Sequence, residues 1–129
     1  MLQLNEVQLS QFKELLNVEQ AQIRSSIDAI FKASNHASYH LAANNFPQLS
    51  TDELIEFTQK IDDTNLANKV EKLKKVDASL ISIELGMFGL CSDCETELDI
   101  ELLESTPTRQ RCPDCEAKYQ KQRYNNYRL

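Results

Sequence analysis

Four cysteines stand in two short pairs, Cys91-Ser-Asp-Cys94 and Cys112-Pro-Asp-Cys115, with seventeen residues between them. A Cys-x-x-Cys pair lets two thiolates reach one tetrahedral ion at about 2.3 Å each, and a spacer of this length is characteristic of Cys₄ zinc sites. The spacing predicts one structural zinc ion per chain, held by Cys91, Cys94, Cys112 and Cys115. A catalytic zinc keeps a position open for water and draws on His or carboxylate ligands, whereas four thiolates close the shell. Two disulfides would need an oxidising compartment, and Met1-Leu-Gln-Leu-Asn-Glu6 has no basic stretch leading into an apolar run. A redox dithiol would need a βαβ setting, which is missing around these cysteines. The segment is poor in apolar residues, so metal binding supplies its folding free energy. The two histidines, His36 and His40, share a helix spacing but lack a third ligand pattern, and read as solvated helix residues. No Gly-rich phosphate loop, no Gly-x-Ser-x-Gly and no fifth cysteine is present, so the chain is not expected to be an enzyme.

The elements that hold such a site must be few and long. Two glycines and three prolines in 129 residues are too few for the tight turns of a sandwich or barrel. Leu2, Leu9, Leu16, Ile23, Ile30 and Ala37 recur every seventh residue, flanked by Phe12, Ile27 and Leu41, and predict a helix from about Asn5 to Ala43. Ser50 with Glu53 forms a capping box, and Leu49 with Leu54 a hydrophobic staple, so a second helix starts there. Its stripe runs through Leu54, Phe57, Ile61, Leu66, Val70, Leu73, Val76, Leu80 and Met87. It predicts continuation to about Leu85, with a stutter across Asp62-Asp-Thr-Asn65. Joined around Pro47, the two helices must fold back antiparallel into a hairpin about 50 Å long. The expected fold is mostly α, a long antiparallel helical hairpin (coiled coil) with a small C4 zinc finger and a short C-terminal helix. Its expected parts are a hairpin over 1–87 with the tip near 44–51, a finger over 88–118 and a basic C-terminal helix over 119–129.

Charge is divided unevenly. The net charge is −6, but residues 1–108 carry 8 Lys+Arg against 18 Asp+Glu and residues 109–129 carry 6 against 2. The acidic body opposes a phosphate backbone, so direct DNA binding is not expected. Tyr119, Tyr124 and Tyr127 in the basic tail have the composition to stack on bases. The favoured alternative is a helix with Tyr119 and Arg123 on one face, packed on the finger and presenting Arg123 and its neighbours to an acidic protein surface. The most apolar stretch, Ala78 to Leu90, is broken by Ser79, Ser82 and Glu84 and is shorter than the ~20 residues of a membrane span. A cytoplasmic protein with no membrane association is expected.

Phe88-Gly-Leu-Cys-Ser-Asp-Cys94, Ile100-Glu-Leu-Leu-Glu104 with Pro107, Cys112-Pro-Asp-Cys115 and Asn45-Phe-Pro47, in this order, resemble the DksA/TraR family of bacterial transcription regulators. The resemblance covers nearly the whole chain. It implies binding to bacterial RNA polymerase rather than DNA, with the coiled coil entering the secondary channel toward the active centre. It also implies partner-facing tip residues, at Gln48, Thr51 and Asp52. The family's tip carries two aspartates and an alanine where Gln48, Thr51 and Glu53 stand, and Asp52 is one residue out of register, a rotation of about 100° on a helix. Asp52 and Glu53 read more simply as acidic residues stabilising a helix N-terminus. Of the family's basic positions for guanosine tetraphosphate, Lys75 matches and the other two hold Thr106 and Glu116, so synergy with that nucleotide is doubtful. The alternative function is a protein-interaction adaptor on the same scaffold with another partner, supported by the altered tip.

Overall fold

The computed structural model describes residues 4–33, 39, 46–59 and 63–128. The sequence readings at Leu2, His36, Ala37, His40, Leu41, Asn45, Ile61 and Asp62 lie outside these residues, as do those on the side chains of Tyr124 and Tyr127. Helix α1, Glu6–Ala33, begins where Asn5 and Gln8 cap reciprocally: the Gln8 N–H donates to Asn5 Oδ1 at 2.8 Å and the Asn5 N–H to Gln8 Oε1 at 3.0 Å. At 1.5 Å per residue α1 is about 42 Å long. Its buried stripe is Phe12, Leu16, Ile27 and Phe31, with Leu9, Ile23 and Ile30 half-buried beside it.

A single 3-10 turn at Phe46–Gln48 leads to α2, Thr51–Gln59. The expected capping box is formed: the Glu53 N–H donates to Ser50 Oγ at 3.1 Å, and the Ser50 N–H to Glu53 Oε1 at 3.3 Å. Leu49 and Leu54 both join the apolar core, as a staple requires. Helix α3, Thr64–Glu84, is a separate helix. Asp63 has extended backbone (φ −139°, ψ 111°), and its carboxylate accepts from the Leu66 N–H at 3.2 Å. The expectation of one helix from Ser50 to Leu85 is corrected here: the polar run that suggested a stutter contains a new N-cap, because an Asp side chain competes for the backbone N–H groups of a helix start.

The helices α1 and α3 pack antiparallel. Ile27 and Phe31, late in α1, meet Leu66, Val70 and Leu73, early in α3, while Phe12 and Leu16 meet Val76. Phe46 and Leu54 complete the first cluster, where Phe31 stacks edge-on with Phe46 and Phe57 at 6.0 and 5.5 Å. The Phe-Pro segment therefore packs on the late part of α1. Arg24, on α1 well before Ala33, donates from Nη2 to the carbonyls of Leu49 at 2.6 Å and Phe46 at 3.4 Å. The segment folds back along the flank, and α2 runs outward again beside α3.

At the other end Gly86, at φ +72°, stops α3. The turn leaves Met87 exposed, contrary to its place on the predicted stripe, and sends Phe88 into the core at 5.3 Å from Phe12. Gly89 sits at φ +89°, a conformation that favours glycine, and a Cβ there would press on Leu4 Cδ1 at 3.1 Å. Helix α4, Ile100–Ser105, contributes Leu103 to this second cluster, and α5, Pro113–Arg128, closes the chain. The C-terminal helix thus begins six residues before the expected boundary at 119 and carries a cysteine in its first turn. Among the described residues the β pairing is one isolated antiparallel bridge, Leu90 with Glu97, and no helix is long and apolar enough to cross a membrane.

Candidate metal centre and partner surfaces

The first cysteine pair sits on a tight turn following Leu90. The Cys91 N–H donates to the Thr96 carbonyl at 2.8 Å and the Glu95 N–H to the Cys91 carbonyl at 3.0 Å, with Glu95 at φ 63°. The second pair sits at a helix start. Cys112 caps α5, Pro113 takes the first helical position, where a missing N–H costs nothing, and the Cys115 N–H donates to Cys112 Sγ at 3.4 Å. Two contacts pin one pair to the other: the Ser92 N–H to the Gln110 carbonyl at 2.8 Å, and Arg111 Nε to Asp93 Oδ2 at 3.0 Å. The Arg111 guanidinium also lies over the Tyr119 ring, 3.9 Å from its centroid, so α5 is locked to the knuckle it starts from.

This framework brings all four sulfurs within 4.8 Å of one another. Four ligands at the zinc–sulfur distance stand about 3.8 Å apart at the corners of a tetrahedron, and Cys94 Sγ and Cys112 Sγ are 3.8 Å apart. The set fits one structural zinc ion with no ligand position left open. Burial opposes ionisation of Cys91, but the backbone N–H groups of Cys94, Cys112 and Asp93 outweigh it and bring its pKa down to about 6. The Thr96 hydroxyl, hydrogen-bonded to Cys94 Sγ, lowers Cys94 as well. Cys115, sharing a hydrogen bond with the Cys112 sulfur and losing solvent, is pushed up to about 12.

Beside the finger lies a cavity of about 450 Å³ between α3 and α5, lined by Lys75, Thr106, Glu116 and Arg123 among others. The positions singled out for a nucleotide and the tail residue Arg123 are therefore neighbours. Sequence reasoning missed Lys74, Arg109 and Arg111 in the same cavity, since nothing in their spacing marks them. Tyr119 and Arg123 line this cavity together, as a shared helix face requires, and Arg111, from the chain just before the helix, lies over the Tyr119 ring. Gln48 and Asp52 are exposed and Thr51 is half-buried, Gln48 in the 3-10 turn and the other two in the first turn of α2.

Residues 86–121 match the prokaryotic dksA/traR C4-type zinc finger family. The RNA polymerase-binding transcription factor DksA of Salmonella typhimurium is 31% identical over 114 residues, which cover 88% of this chain and 72% of that protein. Its Escherichia coli K12 counterpart is 29% identical over the same span, and that of Haemophilus influenzae 27%. The solved structure of transcription factor DksA2 from Pseudomonas aeruginosa superposes with a TM-score of 0.59 at 17% identity, covering 93% of this chain and 88% of that one.

Proposed function

The chain belongs to the DksA/TraR family of C4-type zinc-finger proteins, and from that premise we propose that it is a cytoplasmic, non-enzymatic transcription regulator that binds bacterial RNA polymerase. The observation that carries this reading is the 31% identity, over 88% of the chain, to a relative named for polymerase binding. In the proposal the hairpin enters the secondary channel toward the active centre, and the zinc finger, with Cys91, Cys94, Cys112 and Cys115 as ligands, sets its angle. Gln48, Thr51 and Asp52 face the partner. Their place on the flank supports lateral contact rather than contact at the extreme end. Lys75 and Arg123 contribute from the base, and the acidic body supports a protein rather than a DNA target.

Cooperation with guanosine tetraphosphate is weak in this reading. Of the cavity's cations, Lys74 already meets Glu71 at 3.2 Å and Arg111 meets Asp93 at 3.0 Å, and Glu116 stands in the wall. Like charges at contact distance repel by about 1 kcal/mol even in bulk water.

The test is a binding titration against purified bacterial core polymerase, alone and with a transcript-cleavage factor that enters by the secondary channel. Binding with mutual exclusion is expected. Simultaneous occupancy would refute the channel, and no binding at all would leave the adaptor reading in its place.

A further inference from the structure

We infer that Arg24 is the positioning residue that sets where the Phe46–Asp52 stretch lies, and through it how Gln48, Thr51 and Asp52 are offered to a partner. The identity of the partner rests on the polymerase reading above; the positioning does not. The stretch is anchored at its two ends by apolar side chains, Phe46 against Phe31 and Leu54 in the core. Between them Leu49 packs partly on the core, but the rest is exposed or polar and, apart from one 3-10 turn, irregular, so no ladder of backbone bonds fixes it. Arg24 supplies what is missing. Its Nη2 donates to the carbonyls of Leu49 and Phe46, and its guanidinium lies 5.1 Å from the centroid of the Phe46 ring. Hydrogen bonds from a charged donor are roughly twice as strong as neutral ones, and the planar guanidinium can face the Phe46 ring while its Nη2 serves both carbonyls.

The bond to Leu49 matters most for presentation. Leu49 directly precedes Ser50, and the Ser50–Glu53 box then dictates the orientation of Thr51 and Asp52 on the first turn of α2. Electrostatics point the same way. The carboxylate of Asp77 on α3 lies within the fields of Asp52, Arg24 and Glu84, with Arg24 the sole cation among those three groups. Arg24 therefore offsets the like charge that docking α2 against α3 brings together. Without it the fold-back loses its tether and keeps its repulsion.

Arg24→Gln, Arg24→Lys and the double change Arg24→Gln/Asp77→Asn test this in the zinc-loaded full chain. Hydrogen exchange at the amides of Glu53 to Phe57 should quicken by about tenfold or more in Arg24→Gln, the scale of losing charged hydrogen bonds. Exchange at Phe12 to Leu16 and the zinc content should stay at parental values. Arg24→Lys should recover part of the protection, and so should the double change, by removing the repulsion. A photo-crosslinking residue at Gln48 should give a defined polymerase adduct in the parent and a several-fold loss of it in Arg24→Gln, with polymerase affinity little changed. Unaltered exchange in Arg24→Gln would overturn the inference, as would faster exchange with an unaltered crosslink. If the parent does not bind polymerase, the polymerase reading fails, and the exchange measurement alone decides the role of Arg24.

Discussion

Cys91 and Cys115 respond to their surroundings in opposite senses, one drawn down to about 6 and the other pushed up to about 12. In the folded finger the hydrogen bonds thus favour the thiolate at Cys91 and the thiol at Cys115. A zinc ion bound by four sulfurs needs all of them deprotonated. Zinc uptake at pH 7 should expel at least the Cys115 proton, so affinity rises with pH and acid releases the metal. Calorimetry of zinc binding in buffers of different ionisation enthalpy measures the number directly, and zero proton release would refute the closed four-thiolate shell. Asp77 is shifted too, raised first by burial and then by Asp52, with Arg24 pulling the other way. A carboxyl whose folded pKa lies above its unfolded value favours the fold when protonated and loses that advantage as pH rises. Asp77→Asn should therefore raise the melting temperature at neutral pH, and the gain should vanish below the unfolded value near 3.8. A variant that melts lower at pH 7 would show that attraction to Arg24, rather than crowding, governs this carboxylate.

The elements show where periodicity is informative and where it misleads. Phe12, Leu16 and Ile27 on α1, and Leu66, Val70, Leu73 and Val76 on α3, are buried as their spacing requires, because a packed antiparallel pair demands an apolar stripe on each helix. The Ser50–Glu53 box was equally legible, since capping is a local matter between residues three apart. The fold-back was not. It depends on Arg24 meeting carbonyls twenty-two and twenty-five residues away, and a long-range contact through backbone atoms leaves no mark on side-chain pattern. The break before α3 has a local signal, an Asp before Thr64-Asn-Leu66, but the apolar stripe that resumes at Leu66 masks it. Asp63→Ala should cost about 0.5–2 kcal/mol, the usual range for an N-cap. If α2 and α3 were continuous, the same change would place the better helix former mid-helix and stabilise the protein. Denaturant titration of the two proteins distinguishes these signs.

In the whole molecule the finger and the hairpin are not separable modules, although the four cysteines could be read from sequence as a unit of their own. Phe88, Cys91, Leu98 and Leu103 form one cluster with Leu4, Phe12, Leu16 and Val76, so the base of the hairpin and the finger bury the same apolar surface. The distal cluster around Phe31, Leu54, Leu66 and Leu73 contains none of the finger residues. Removing the metal should therefore act with a gradient. The finger has few apolar residues and relies on the ion for its folding free energy; a chelator should abolish hydrogen-exchange protection over 88–118. Loss of Phe88, Leu98 and Leu103 from their cluster then exposes Phe12 and Leu16, so protection should fall partially in the first half of α1 and the last turns of α3. Around Ile27, Phe31 and Val70 it should persist, because that core keeps all its contacts, and most of the helical circular dichroism should remain. Equal loss at both ends of α1 would mean that the two clusters fold as one cooperative unit. Unchanged protection at Phe12 and Leu16 would mean that the hairpin base holds without the finger. Either result would refute the shared core as the route by which the zinc ion supports the hairpin.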